Sequence, residues 1–252
     1  MIKFSNQDNL LVERTWKPHL QDNINPELFR DFFDYESIPK IAFNFRQTPL
    51  DMPENIWITD TTFRDGQQST SPFTAKQIVD LYKLMHKLGG KNGIIRQSEF
   101  FLYTEKDRQA VRECMELGYE FPEITSWIRA SEKDFELVKE MNIRETGILV
   151  SCSDYHIFKK MNLTRKQALD KYLSVVKMAL DREIVPRCHF EDITRADFYG
   201  FVVPFAIELM KLAKESGIPI KIRACDTLGY GVGFPGVAMP RSVQGIVSGL
   251  KY

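Results

Sequence analysis

Several things are scarce in this 252-residue chain, and each scarcity excludes something. No apolar run approaches the roughly 20 residues that span a bilayer, so no transmembrane helix is expected. Neither sign of charge dominates: 34 Lys and Arg stand against 34 Asp and Glu. That balance gives no electrostatic reason to expect nucleic acid or an anionic membrane as partner. Cysteine is sparse, and Cys114, Cys152, Cys188 and Cys225 form no CxxC or zinc spacing. Reduced thiols in a cytoplasmic enzyme fit that pattern better than a disulfide framework. The opening Met1-Ile2-Lys3-Phe4-Ser5 lacks the basic-then-apolar layout of a secretory signal. What remains is an ordinary globular composition, 43% hydrophobic and 27% charged, enough to bury a large core as one α/β domain.

Residues 1–55 read differently from the rest, with Trp16, Pro18, Pro26, Phe29, Phe32, Phe33, Tyr35, Pro39, Phe43 and Phe45 concentrated there. Asn25-Pro26 predicts a helix start, with Leu28, Phe29, Phe32 and Phe33 on one face. The segment is too short to bury a core of its own, so an N-terminal arm packing on the main body or on a second subunit is expected.

From Ile56 a βα unit recurs about every 30 residues. Strands are expected at Ile56–Thr59, Gly93–Ile95, Glu123–Thr125, Gly147–Val150, Val185–Phe190 and Pro219–Ala224. Thr74 with Gln77 predicts a capping box, and Gly89-Gly90 a helix stop. Helices are further expected from Thr104, Ser131 and Thr164, and through Phe201, Phe205, Leu209 and Ala213. Short apolar strands alternating with helices imply a parallel sheet covered on both faces. Polar residues follow the strands: Arg64/Asp65, Glu99, Arg129, Ser151/Ser153, Glu191/Asp192 and Asp226. An open doubly wound sheet would gather them at one switch point, whereas a barrel opens all strand ends on one face. Their spread favours a TIM (β/α)8-type barrel, incomplete at about six units.

The stretch Asp60-Thr61-Thr62-Phe63-Arg64-Asp65-Gly66-Gln67-Gln68 packs two carboxylates, a guanidinium and amides behind the first strand. Carboxylate oxygen suits a hard divalent cation, and Arg suits a substrate carboxylate or a developing enolate. A charged loop with an internal Asp–Arg pair is the alternative reading. His189, beside Glu191, reads as a substrate ligand or base, or as a hydrogen-bonded residue of the strand end. His156 reads as a solvated loop residue. The cluster Gly229 to Gly236 reads as a flexible βα loop rather than a phosphate cradle, because Pro235 spoils a clean helix start.

Asp60–Gln68 resembles the signature of the 2-isopropylmalate synthase/homocitrate synthase family. That family belongs to the DRE-TIM metallolyases, alongside 3-hydroxy-3-methylglutaryl-CoA lyase and the pyruvate carboxylase carboxyltransferase domain. Ser151–His156, Arg187–Arg195 and Asp226–Gly229 resemble later segments of the family in the right order. The likeness covers about residues 56–250, which it marks as a partial TIM-barrel catalytic domain of pyruvate carboxyltransferase-like type (56–252). It implies a divalent metal (Mg, Mn or Zn) on Asp65, an oxyanion or enolate stabilised by Arg64, and Gln68 at the keto-acid end. Arg187 and Glu191 would contact the 2-oxo acid, Glu191 also as a catalytic group. Glu99, Arg129 and Thr227 would line the same face. The reaction implied is condensation of acetyl-CoA with a 2-oxo acid, as in 2-isopropylmalate, homocitrate or citramalate synthases.

Two departures qualify the likeness. Trp127 stands where homocitrate synthases resemble one another in having His. The family's H-x-H metal pair has no counterpart among His19, His86, His156 and His189. Weak metal binding by this chain alone is therefore expected, as is a homo-oligomer or a complementing chain that supplies the rest of the barrel. The alternatives are a lyase or carboxyltransferase of the same superfamily, or a non-catalytic fragment or subunit. Gly66-Gln67 argues against the carboxyltransferase branch, whose corresponding positions usually read Ala-His.

Overall fold

The computed structural model describes residues 2–5, 10–13, 53–69, 71–233 and 237–251. The chain divides into two compact units, Met1–Ile41 and Ala42–Tyr252. In the first, β1 (Ile2–Ser5) pairs antiparallel with β2 (Leu10–Glu13), Ile2 opposite Glu13. The helix expected from Pro26, and the aromatic residues around it, lie outside the described residues.

The second unit is built on six parallel strands whose spatial order follows the sequence: β3 (Ile58–Asp60), β4 (Ile95–Phe100), β5 (Glu123–Arg129), β6 (Glu145–Ser151), β7 (Val185–Glu191) and β8 (Lys221–Ala224). They form half of a barrel, and among the described residues β3 and β8 each pair on one side only. Helices α1 (Ala75–Gly89), α2 (Glu105–Glu116), α3 (Glu132–Glu140), α4 (Arg165–Leu180) and α5 (Val203–Ser216) connect successive strands, and α6 (Val243–Lys251) follows β8. Sequential parallel order needs a crossover at every step, which the helices supply.

Helix starts follow local chemistry. Thr74, Thr104 and Thr164 each accept the backbone N–H three residues on, while Gln77, Asp107 and Gln167 reach back to the cap. These reciprocal bonds satisfy donors that a helix end leaves orphaned. Helix α1 stops at Gly89, and Gly90 turns the chain at φ 62°. The expected continuous helix through Phe201 is instead a π-helical turn, Phe198–Val202, followed by α5. Pro204 has no N–H to donate into an earlier turn and is tolerated only at a helix start.

The strands correct a second expectation. They are not apolar on both faces but alternate. On β6, Thr146, Ile148 and Val150 face outward, while Glu145, Gly147, Leu149 and Ser151 face the concave side. On β7, Cys188 and Phe190 alternate with Arg187, His189 and Glu191. The hydrophobic core is the outer layer, where Ile128, Ile148, Val150 and Phe190 meet Val111, Phe135, Val176 and Phe205, all fully buried. Phe190 stacks on Phe205 with ring centroids 4.9 Å apart. The concave side is polar and carries the charge. Strand boundaries shift accordingly: β5 runs on through Trp127 to Arg129, and Glu99 lies inside β4 rather than after it.

Candidate active site

The loop after β3 divides its labour. Asp60 accepts from the Thr62 backbone N–H (3.1 Å), the Thr62 hydroxyl (2.7 Å) and Ser98 (3.2 Å), which fixes the turn. Phe63 is buried and stacks on Phe100 at 4.9 Å, and Gln67 donates to the Phe63 carbonyl at 2.7 Å. Those residues anchor the loop. Arg64, Asp65 and Gln68 are left lining a cavity of about 580 Å³ with Trp127, Leu149, His189, Glu191, Cys225, Asp226 and Thr227.

Beneath the cavity lies a buried charge array. Glu99 has no solvent exposure. Its Oε1 accepts from Arg187 Nη2 (2.5 Å) and Arg223 Nη1 (2.8 Å) and lies 3.2 Å from His189 Nε2. Its Oε2 accepts from Arg64 Nε at 2.7 Å, while Arg64 Nη1 reaches Asp65 at 2.6 Å. Arg187 continues the array through Glu145 (2.5 Å), Thr125 (3.2 Å) and Gln97. Lys221 completes it, 2.5 Å from the other Glu145 oxygen. Burial opposes ionisation of Glu99, but its bond with His189 and the charges of Arg187 and Arg223 outweigh that and hold its pKa at about 2. Burial pushes His189 below its ordinary value, against the pull of Glu99.

At the far rim, Glu191 accepts from Ser151 Oγ and lies 2.9 Å from His156 Nδ1. Asp192 follows in a left-handed conformation, φ 61°, with its carboxylate on Ser153 (2.5 Å) and Arg195 (2.6 Å). The Asp192 backbone N–H donates to Thr227 Oγ1 at 2.8 Å, tying the ends of β7 and β8 together. Burial alone would raise the Asp192 carboxyl; the bonds from Arg195 and Ser153 hold it below its ordinary value. Asp226 accepts from Thr194 (2.9 Å) and from the backbone N–H groups of Tyr230 and Gly231 (both 2.8 Å). Those N–H groups are thereby spent on the loop itself; residues 234–236 lie outside the described residues.

The fold thus brings Arg64, Asp65, Gln68, His189, Glu191 and Thr227 to one cavity, with Glu99 and Arg187 as the layer below. Arg129 is not among the lining residues. It lies at the end of β5 with its guanidinium turned to Asp134, at 2.8 and 3.0 Å. Sequence reasoning passed over Gln97, Glu145 and Arg223, whose signal was the period-two alternation of polar residues within the strands. It also read His156 as solvated, although its ring meets Glu191.

Among the described residues, no three His, Cys, Asp or Glu side chains are grouped to hold a metal ion. Asp65 is engaged by Arg64, and His189 and His156 face Glu99 and Glu191. The donors described on this chain therefore do not fit a divalent ion by themselves. A second cavity, of about 460 Å³, opens at the opposite ends of the strands between Tyr82, Cys114, Tyr119, Glu123 and Arg144. Glu120 also lines it, and none of the residues of the Asp60–Gln68 loop does.

Comparison with known proteins agrees with this geometry. The HMGL-like family matches residues 55–251. Citrate (Re)-synthase of Clostridium kluyveri is 62% identical over 91% of this chain and 51% of its own length. Citrate (Re)-synthase of Syntrophus aciditrophicus is 57% identical over 98% of this chain and 40% of its own. The 2-phosphinomethylmalate synthase of Streptomyces hygroscopicus is 37% identical over 89% and 52%. The chain thus spans about half the length of these curated relatives. Among solved structures, hydroxymethylglutaryl-CoA lyase from Pseudomonas aeruginosa shares the fold, with a TM-score of 0.51 at 17% identity, covering 72% of this chain and 61% of that one.

Proposed function

The chain belongs to the HMGL-like family, and from that membership we propose that it carries the 2-oxo-acid site of a synthase that joins acetyl-CoA to a 2-oxo acid. Two relatives are named citrate synthases. Citrate stripped of an acetyl unit leaves a four-carbon 2-oxo dicarboxylic acid, so oxaloacetate is the substrate this reading favours. The observation that carries it is the Arg64 guanidinium, clamped from below by buried Glu99 and facing a cavity whose far rim bears the Glu191 carboxylate.

The chemistry follows from that placement. A proton leaves the acetyl methyl group, the resulting enolate carbon attacks the ketone carbon, and the ketone oxygen becomes an alkoxide that takes up a proton. Hydrolysis of the thioester then releases CoA. In this reading Glu191, which Ser151 and His156 hold at the rim, accepts the methyl proton. Arg64 cannot swing freely, because Nε and Nη1 are held by Glu99 and Asp65. A fixed cation stabilises developing negative charge without reorganising. Gln68 and Thr227 line the cavity and can position the acid. Synthases of this family are in general divalent-metal dependent; the donors described on this chain do not form such a site alone.

The test is free-thiol release from acetyl-CoA with a panel of 2-oxo acids and added Mg²⁺ or Mn²⁺. Release should depend on the acid and be fastest with oxaloacetate. Arg64→Gln and Glu191→Gln should each lower it by roughly 10²-fold or more. Release that ignores the 2-oxo acid, or survives both substitutions, refutes the reading. Asp65 is engaged by Arg64 rather than left open to a cation, which favours one second reading, a chain that binds the acid without turning it over. Acid binding without thiol release would distinguish that case.

A further inference from the structure

The cavity of about 460 Å³ at the opposite ends of the strands has no part in the condensation reading. Its frame is tied in place. The Tyr82 hydroxyl donates to the Pro122 carbonyl at 2.5 Å, and His86 Nδ1 lies 2.6 Å from the Phe121 carbonyl. The His86 ring stacks on Tyr119 with centroids 3.8 Å apart, and Tyr82 stacks on the same tyrosine at 6.0 Å. These contacts hold residues 117–122, the connection from α2 to β5, against α1.

The turn before β6 is held as well. Asn142 takes a left-handed conformation, φ 52°, at the end of α3, and its N–H donates to the Lys139 carbonyl at 3.1 Å. The Arg144 carbonyl accepts the Val185 N–H at 2.9 Å. Strands β5 and β6 are direct neighbours, about 4.8 Å apart, so both turns border one cavity.

The lining divides by chemistry. Tyr82, Cys114 and Ile143 are buried and give it an apolar wall. Glu120, on the first turn, and Arg144, on the second, line it with opposite charge, and both are exposed. Among the described residues neither side chain makes a hydrogen bond or an ion pair, with the other or with any neighbour. Opposite charges that border one cavity without meeting suit a ligand that carries both signs. The volume lies within the range of small-molecule sites, about 300–1,000 Å³.

We propose that this cavity binds a free α-amino acid with an apolar side chain. The carboxylate pairs with Arg144, the ammonium with Glu120, and the side chain lies against Tyr82, Cys114 and Ile143. An acid of the same skeleton without the amino group would leave Glu120 without a partner, and the corresponding amine would leave Arg144 so. The proposal is independent of the condensation reading, because the two cavities lie at opposite ends of the strands.

Titration calorimetry on the full chain tests it, with L-phenylalanine, L-methionine and L-isoleucine as probes. Each is paired with its analogues that lack the ammonium or the carboxylate. At least one amino acid should bind, roughly tenfold or more tighter than either analogue, the worth of one hydrogen bond to a charged group. Arg144→Gln and Glu120→Gln, both at exposed positions, should each weaken that binding by about the same factor. With ¹³C-methyl-labelled methionine, the signal of Met115, which lines the cavity, should shift on binding; Met115→Leu identifies it by its loss. No binding by any of the three, equal binding by a one-charge analogue, indifference to either substitution, or an unmoved Met115 signal overturns the proposal. Absence of thiol release from acetyl-CoA overturns the condensation reading and leaves this one standing.

Discussion

Replacing Glu99 by Gln keeps the side chain's size and removes one charge from the buried array. The substitution cannot be accommodated by reorientation. Oε1 faces the Arg187 and Arg223 guanidinium groups and Oε2 faces Arg64 Nε, so an amide NH2 meets a donor on either side. Breaking a buried ion pair from one side costs about 3–5 kcal/mol. The titration of Glu99 gives a second route to the magnitude. A carboxyl held at about 2 against an ordinary 4.5 corresponds to roughly 3 kcal/mol of folding free energy at neutral pH. Because the folded value lies below the unfolded one, that stability is fully present above 4.5 and drains away as the pH falls toward 2. Urea unfolding followed by circular dichroism should therefore show Glu99→Gln less stable by about 3–5 kcal/mol at pH 7, at unchanged m-value. The gap to wild type should stay level down to about pH 5 and narrow below it. A loss under about 1 kcal/mol at pH 7, or a gap that does not close in acid, would refute the reasoning.

Other consequences follow from the same geometry. A Cβ on Gly147 would lie 2.8 Å from His189 Nε2 and 2.9 Å from Trp127 Cδ1. Gly147→Ala should push both side chains off the strand and cost about 1–3 kcal/mol in urea unfolding, with weakened acid binding; an unchanged Cm would contradict that close approach. Arg129→Ala should leave 2-oxo acid affinity within about twofold and cost no more than about 1 kcal/mol, because the guanidinium is spent on Asp134; titration calorimetry checks the first and a melting curve the second. Burial pushes Cys114 and Cys188 up to about 12 and Cys225 to about 11, and Cys152 well above its ordinary value. At pH 8 a thiol reagent should thus react with the native chain far more slowly than with the four cysteines of the unfolded one; rapid labelling of Cys188 in the folded protein would disagree.

Much of this architecture is legible from local chemistry. Thr74, Thr104 and Thr164 announce helix starts because their caps are made with residues three positions on. The βα spacing reveals parallel strands because each needs a crossover. The loop Asp60–Gln68 stands out because so many charged and amide groups in nine residues are rare in a mere connection. What escaped was how strand residues divide between two faces. Arg187 and Glu145 lie 42 positions apart, and only the pairing of β6 with β7 puts them in contact. Glu99 reads as a loop residue until the strand is seen to run past it. Arg129 reads like a ligand because of its place after a strand, but Asp134, on the next helix, captures it first.

The most direct test of the central claim is a crystal structure of the chain with a bound 2-oxo acid. The account predicts the acid at the C-terminal ends of the strands, within hydrogen-bond distance of Arg64 and between it and Glu191. An acid seated instead in the cavity at the opposite ends of the strands, among Tyr82, Tyr119 and Arg144, would contradict it.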